Sequence, residues 1–314
     1  MAQKLSKSSP FVAAVLRSMI KGTGRLSRPA AQRLGAGLGS LLWQIPNQFR
    51  EASRRNVDRC FPELAVAERH RLVRESLKFT GRNVVEAGAL WNWPAERLQK
   101  LAGGVENEAM LEAGLDRGKG ILVLAPHVGN WEYLSLWFTL RNPEMPLVSL
   151  YRPPRILELD EYLRQSRQRF GAVMAPASAG GLRQLARALQ NGHMVGILPD
   201  QEPLKEHGVF APFFGIPALT MLAVNGILRR FDPTVAYAFA QRGQNGKFRI
   251  RIFPPPDGLD DSDPVRAATQ LNYGVEQCVR ACPEQYMWSY RRFRTRPPEE
   301  LTDRQERETR EGSY

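Results

Sequence analysis

Gly120-Ile-Leu-Val-Leu-Ala-Pro-His-Val-Gly-Asn-Trp-Glu132 is the stretch on which the fold turns. Its first half is a short, uniformly apolar run closed by Pro126, and such a run reads as a strand buried on both faces. Its second half turns at Gly129, and Asn130 stands where it can cap a helix that begins at Trp131. The same alternation continues downstream. Apolar runs at 146–151, 194–199, 234–239 and 248–253 predict strands, and helical patterns fill 131–140, 157–170, 180–191 and 219–231. Strands alternating with helices call for an α/β domain with a central, mostly parallel sheet flanked by helices. Run 248–253 alternates apolar residues with Arg249 and Arg251, so its strand is expected near an edge, with one face exposed.

Upstream, residues 8–100 read as helical, with breaks at Pro46 and Pro62 and a fresh helix start at Pro94. The whole chain has 314 residues, 44 Lys+Arg against 32 Asp+Glu, and a net charge of +12. Lys4, Lys7, Arg17, Lys21, Arg25, Arg28, Arg33 and Arg50 stand in the first 50 residues with no acid among them. A positive end of this kind suits nucleic acid, anionic lipid or an acidic partner. Three cysteines are too few for a disulfide framework and point to a reducing compartment. No run approaches the roughly 20 apolar residues of a membrane span, and no signal peptide is evident. Instead Phe11, Val12, Val15, Leu16, Met19 and Ile20 recur at helical spacing, with Arg17, Ser18 and Lys21 opposite. That pattern suits a helix lying in a membrane interface, or one packed on the protein's own core. Residues 1–45 are accordingly read as a helical, membrane-associating region, and the polar segment 296–314 as a disordered tail.

The chemistry concentrates around His127. It follows a buried strand at its carboxyl end, where α/β sheets hold their ligands. Glu132 falls in the first turn of the next helix, and that spacing lets its carboxylate reach back to the imidazole. A carboxylate on one ring nitrogen fixes the tautomer and raises the basicity of the other. With no serine or cysteine in the segment, such a base would activate a hydroxyl of the substrate. The same spacing also suits a capping turn in which the histidine only packs. Asp200 follows another strand at the same edge of the sheet, either to bind a substrate group or to cap its loop. Phe213, Phe214 and Ile216 form an apolar cluster that suits an acyl channel or plain core. Cys278 and Cys282 are one helical turn apart, but too little surrounds them for a metal site.

His127-Val-Gly-Asn-Trp-Glu132 resembles the His-x4-Asp/Glu motif of glycerolipid-type acyltransferases, in the form of the bacterial lipid A late acyltransferases. Four further segments resemble that family in order. They are Asn56 to Leu64, Glu86 to Trp91, Pro199-Asp-Gln201 with Val209 to Pro217, and Pro283 to Phe293. The resemblance implies an acyltransferase domain over 46–295 with a glycerolipid acyltransferase-like fold. It implies acyl transfer from acyl carrier protein to a hydroxyl of a lipid A precursor, without cofactor or metal, at the cytoplasmic face of the inner membrane. His127 would be the general base and Glu132 its orienting partner. Backbone N–H groups of residues 128–130 are candidate oxyanion donors.

The phosphates of such an acceptor call for arginines. Arg164 and Arg167, at i,i+3 on a helix, are the favoured pair; Arg292, within a run of arginines, is a second candidate, and Gln201 joins Asp200 as a binding residue. Three other readings stay open: a related acyltransferase with another glycolipid or phospholipid acceptor or with acyl-coenzyme A, a hydrolase, and a nucleic-acid-binding protein. The basic end carries no recognisable nucleic-acid motif, which weighs against the last of these.

Overall fold

The computed structural model describes residues 10–154, 159–243 and 245–298. Five helices come first: α1 (Pro10–Thr23), α2 (Arg28–Gln44), α3 (Gln48–Cys60), α4 (Val66–Asn92) and α5 (Ala95–Gln99). The breaks have local causes. Pro46 ends the pattern of α2, and Asn47 then caps α3 by accepting from the N–H groups of Phe49 and Arg50. Pro62 follows the end of α3, and Pro94 precedes α5.

The chain then alternates through β1 (Ala102–Glu106), α6 (Glu108–Asp116), β2 (Ile121–Leu124), α7 (Trp131–Arg141), β3 (Leu147–Tyr151), α8 (Asp160–Gln168) and β4 (Val173–Pro176). It continues with α9 (Ala179–Gln190), β5 (Met194–Ile197), β6 (Gly208–Phe213), β7 (Ile216–Met221), α10 (Ala223–Phe231), β8 (Thr234–Arg242), β9 (Phe248–Phe253) and α11 (Pro264–Ala281). Seven strands make one sheet in the order β1-β9-β8-β2-β5-β3-β4, in which β8 and β9 are the antiparallel pair. The expected mostly parallel α/β architecture is present. β2 lies at its centre between β8 and β5, parallel to both, and all four of its residues are buried.

Two-residue alternation along β2 divides the core. Leu122 and Leu124 face one apolar cluster with residues of α9, α10 and α11, while Ile121 and Val123 face another with residues of α7. The parallel register has a functional consequence, because the carboxyl ends of β2, β5 and β8 open on one edge of the sheet.

Two readings are corrected. The helix expected over 219–231 begins only at Ala223, because residues 216–221 pair with β6 as an antiparallel hairpin. Its turn holds Phe214 and Gly215 at positive φ (51° and 75°), which separates the apolar run into strand, turn and strand. β1 and β4 were not anticipated: β1 is short and glycine-bearing, and β4 ends in proline. β9 lies near an edge as expected, with Arg249 exposed; β1 alone pairs outside it, and Arg249 and Arg251 reach across to Glu106 of β1 (3.1 and 2.6 Å). Helix α8 starts at Asp160, and residues 157–158 of the expected helix lie outside the described residues, as does 299–314 of the expected tail.

The N-terminal helices pack through glycine. A Cβ on Gly81 of α4 would stand 2.1 Å from the Gly35 carbonyl of α2, and one on Gly39 would stand 2.3 Å from the Leu77 carbonyl. Backbones this close leave no room for a side chain. Among the described residues no helix is long and apolar enough to cross a membrane. Val15 and Met19 of α1 are exposed, while Leu16 and Ile20 are half-buried; the side chains of residues 10–13 lie outside the described part.

Candidate active site

The chain leaves β2 through Ala125 and Pro126 and reaches His127 at the sheet edge. The turn that follows is pinned from three sides. Gly129 takes φ 62°, and a Cβ there would meet the Ala240 carbonyl of β8 at 2.2 Å, so only glycine fits. The Asn83 amide of α4 donates to the Gly129 carbonyl (2.9 Å), and the Met287 N–H donates to the His127 carbonyl (3.0 Å). Asn130 caps α7 by accepting from the Tyr133 N–H (2.9 Å), and its amide donates to Glu86 (2.9 Å).

Glu86 is fully buried and is the anchor of this scaffold. It also accepts from Arg28 (2.8 Å) and from both terminal nitrogens of Arg242. Burial alone would raise its carboxyl; the two guanidinium groups overcome that and hold it down at about 2.

The imidazole of His127 is buried and bonded at both nitrogens. Nδ1 stands 2.8 Å from Asp200 Oδ1, while the backbone N–H of His127 donates to Asp200 Oδ2 (2.9 Å). Nε2 stands 3.1 Å from the Gln201 amide nitrogen. The tautomer carrying its proton on Nδ1 satisfies both contacts, since Asp200 then accepts and the Gln201 amide donates to the Nε2 lone pair. Burial opposes the charge of Asp200, but its electrostatic attraction to His127 and the hydrogen bonds from the His127 ring and backbone keep its carboxyl below the usual range. Asp200 therefore stays ionised and able to stabilise an imidazolium.

The carboxylate on the imidazole is thus not that of Glu132, and this corrects the expected pairing. Glu132 turns away from the ring to accept from Trp91 Nε1 (3.0 Å) and from Arg167 Nε (3.0 Å) and Nη2. Burial works against its charge, and Arg167, with hydrogen bonds from Trp91 and Trp131, more than compensates. The Trp131 ring connects the two centres, 5.0 Å from the imidazole and edge-on to it. Arg167 is further held by the faces of Trp91 and Tyr151 (5.7 and 5.5 Å).

The other candidates separate. Arg164 is not on Glu132: it is half-buried and bonded to Glu161 one turn back on α8 (2.6 Å). Arg292 is buried to 2% exposure and donates to the Leu219 carbonyl, Thr220 and Asn272. It is enclosed because residues 285–293 fold back over the site, tied down by Asn56 to the Trp288 and Tyr290 carbonyls (2.7 and 2.6 Å). The arginine offered as a second candidate for the acceptor's phosphates is therefore an internal clamp.

Phe213 belongs to the core with Phe293, and Phe214 packs on Phe61. The expected oxyanion donors are engaged elsewhere: the N–H groups of Val128, Gly129 and Asn130 donate to the carbonyls of Pro126, Gln285 and Ala240. No group of three or more His, Cys, Asp or Glu that could hold a metal occurs among the described residues.

Sequence reading missed Asn83, Glu86 and Arg242 as the frame of the turn. The available signal was the occurrence of Asn and Glu on the apolar half of α4.

Comparison with known proteins places this chain in a family. A model described as bacterial lipid A biosynthesis acyltransferase matches residues 6–295. The chain is similar to the lipid A biosynthesis lauroyltransferase of Escherichia coli (strain K12), with 29% identity over 277 residues, 87% of this chain and 88% of that protein. It is 28% identical over 275 residues to the palmitoleoyltransferase of the same organism, covering 87% and 88%. A lipid A biosynthesis acyltransferase of Haemophilus influenzae is 29% identical over 279 residues, covering 87% of each chain.

Proposed function

The chain belongs to the bacterial lipid A biosynthesis acyltransferase family and is an acyltransferase, and from that premise we propose which of its groups carry the transfer and which donor and surface it uses. The observation that carries the proposal is the Asp200–His127–Gln201 arrangement at the sheet edge. The acceptor hydroxyl of the lipid A precursor displaces the Gln201 amide from Nε2 and gives its proton to that nitrogen as its oxygen attacks the thioester carbonyl. Asp200 holds the Nδ1 proton and stabilises the imidazolium. When the tetrahedral intermediate collapses, the carbon–sulfur bond breaks and the imidazolium returns the proton to the departing thiolate. The new ester and a free thiol are the products. Arg167, fixed by Glu132, serves an acceptor phosphate or the oxyanion.

The donor in this reading is acyl carrier protein, an acidic partner suited to a chain of +12. The working surface is the cytoplasmic leaflet of the inner membrane. Its support is the exposed apolar row Leu34, Leu38, Leu41 and Ile45 along α2, with Arg25 and Arg33 beside it.

The test offers purified enzyme a lipid A precursor with carrier-bound or coenzyme A-bound acyl chains of one length. Transfer lost in His127→Ala and retained with the carrier donor supports the scheme. Preference for the coenzyme A donor removes the carrier. Free fatty acid released at the transfer rate without acceptor indicates a hydrolase. Mass spectrometry of lipid A from cells with and without the gene then reads the acyl group directly.

A further inference from the structure

A second concave site lies at the same edge of the sheet, one strand from His127. β8 runs parallel to β2, so its carboxyl end, at Arg242, emerges beside the His127 turn. Beyond it a cleft of about 350 Å³ opens between α2, α4 and the β8–β9 turn, lined by Gln32, Arg33, Arg82, Arg242 and Gly243 among others. That volume is at the lower end of the range for small-ligand pockets, about 300–1,000 Å³.

The charges of this cleft do not cancel. Arg242 of its lining and Arg28, which is not part of the lining, share one carboxylate, Glu86, which leaves one positive charge over. Arg33 and Arg82 add two more, and among the described residues neither guanidinium donates a hydrogen bond or forms an ion pair. Burial, and after it the neighbouring Arg242 charge, presses Arg82 below the usual range of a guanidinium. Arg242 itself is only 7% exposed in its side chain, and its Nε is buried without an acceptor, as is one terminal nitrogen of Arg28. Buried donors without acceptors are costly, and arginine forks match the oxygens of a phosphate. Glu75 and Glu284 line an adjoining 180 Å³ recess that shares Arg82, Arg242 and Gly243 with the cleft; Glu75 is already paired with Lys78 (2.7 Å), and Glu284 offsets one charge without cancelling the excess.

We propose that the Arg33–Arg82–Arg242 cleft is a binding site for a phosphate monoester, carried by an amphiphile whose chains lie along the exposed Leu34–Leu38–Leu41 row of α2. Arg33 adjoins Leu34 in sequence, so the polar and apolar parts of one molecule meet both features. The cleft also connects to the His127 turn: Arg242 donates to Asn83 (3.2 Å), and Asn83 donates to the Gly129 carbonyl (2.9 Å). The inference concerns binding and stands apart from the transfer chemistry.

The experiment measures binding of the full chain to phosphatidylcholine vesicles with and without phosphatidic acid, with glucose 1-phosphate as a soluble competitor. The double variant Arg33→Gln/Arg82→Gln is compared with Arg229→Gln/Arg230→Gln, which removes the same charge from the exposed end of α10. Thermal melting verifies that both fold. Each lost charge-assisted contact is expected to weaken phosphatidic acid binding by about tenfold. The α10 pair should change it by less than about twofold, as exposed charges distant from a site do. Competition by glucose 1-phosphate would assign the site to phosphate monoesters in general; a selective loss without competition would assign it to the lipid headgroup, and either supports the proposal. Equal losses in the two double variants, or none in the cleft variant, would overturn it.

Discussion

Two carboxylates compete for the role of orienting His127, and their contacts give them different jobs. Asp200 accepts from Nδ1, whereas Glu132 is engaged by Arg167 and Trp91. Asp200→Asn should therefore cost about as much as His127→Ala, roughly 10²–10⁴-fold in kcat. An amide there can donate to Nδ1, which leaves the proton on Nε2 and removes the base. Glu132→Gln acts differently. It frees Arg167, so kcat/KM should fall while the pH profile of kcat keeps its shape. Steady-state profiles of both variants check this; a shifted profile in Glu132→Gln with an unchanged one in Asp200→Asn would reverse the two roles. The sequence displayed both carboxylates and the histidine but not their pairing. Asp200 is 73 residues from His127, and only the adjacency of β5 and β2 brings them together. Glu132, five residues away, looked closer because a helical first turn was assumed to face the ring.

At the scale of elements, the seam between α2 and α4 and the buried charge on α4 hold the site from behind. Gly81→Leu should shift α2 off α4 and destabilise the fold by about 1–3 kcal/mol or more, because a backbone carbonyl cannot yield to a side chain. Chemical denaturation reads that change, and an unaltered midpoint would mean that the seam is looser than its contacts imply. Glu86 supplies a pH signature. Its carboxyl falls from an ordinary 4.5 to about 2 on folding, so its stabilisation is complete above about 4.5 and is lost as pH falls toward 2. Linkage makes that stabilisation on the order of 3 kcal/mol. Glu86→Gln should be less stable at neutral pH and should lose less stability than wild type between pH 5 and about 3. Parallel acid limbs for the two proteins would remove Glu86 from that role. Central strands were legible as short apolar runs bounded by turn residues. The β6–β7 hairpin was not, because its second strand runs on into α10 with no polar break, and periodicity over so few residues cannot separate strand from helix.

On the scale of the whole molecule the excess of positive charge bears on how the donor arrives. Acyl carrier protein is strongly acidic, so a chain of +12 should meet it faster than it meets a small thioester with the same acyl group. Part of that advantage is long-range steering, which fades as the screening length shrinks to about 10 Å at 0.1 M salt. The expected outcome is a steeper fall of kcat/KM with ionic strength for the carrier-bound donor than for the coenzyme A thioester. Coenzyme A is itself an anion, so the two slopes decide the matter and not either rate alone. The arginine run at the C-terminal end cannot be treated as one surface. Arg292 is internal, and Arg294 pairs with the buried Glu202 (3.2 Å), so reversing either charge would disturb the fold before it disturbed an encounter. Arg291 is exposed and carries no such burden. Arg291→Glu should flatten the salt dependence with the carrier donor and leave the coenzyme A reaction nearly as it was. Stopped-flow or initial-rate measurements across a salt series supply both slopes. If they coincide in the wild-type protein, the carrier makes no specific electrostatic contact, and the donor is better sought among coenzyme A thioesters.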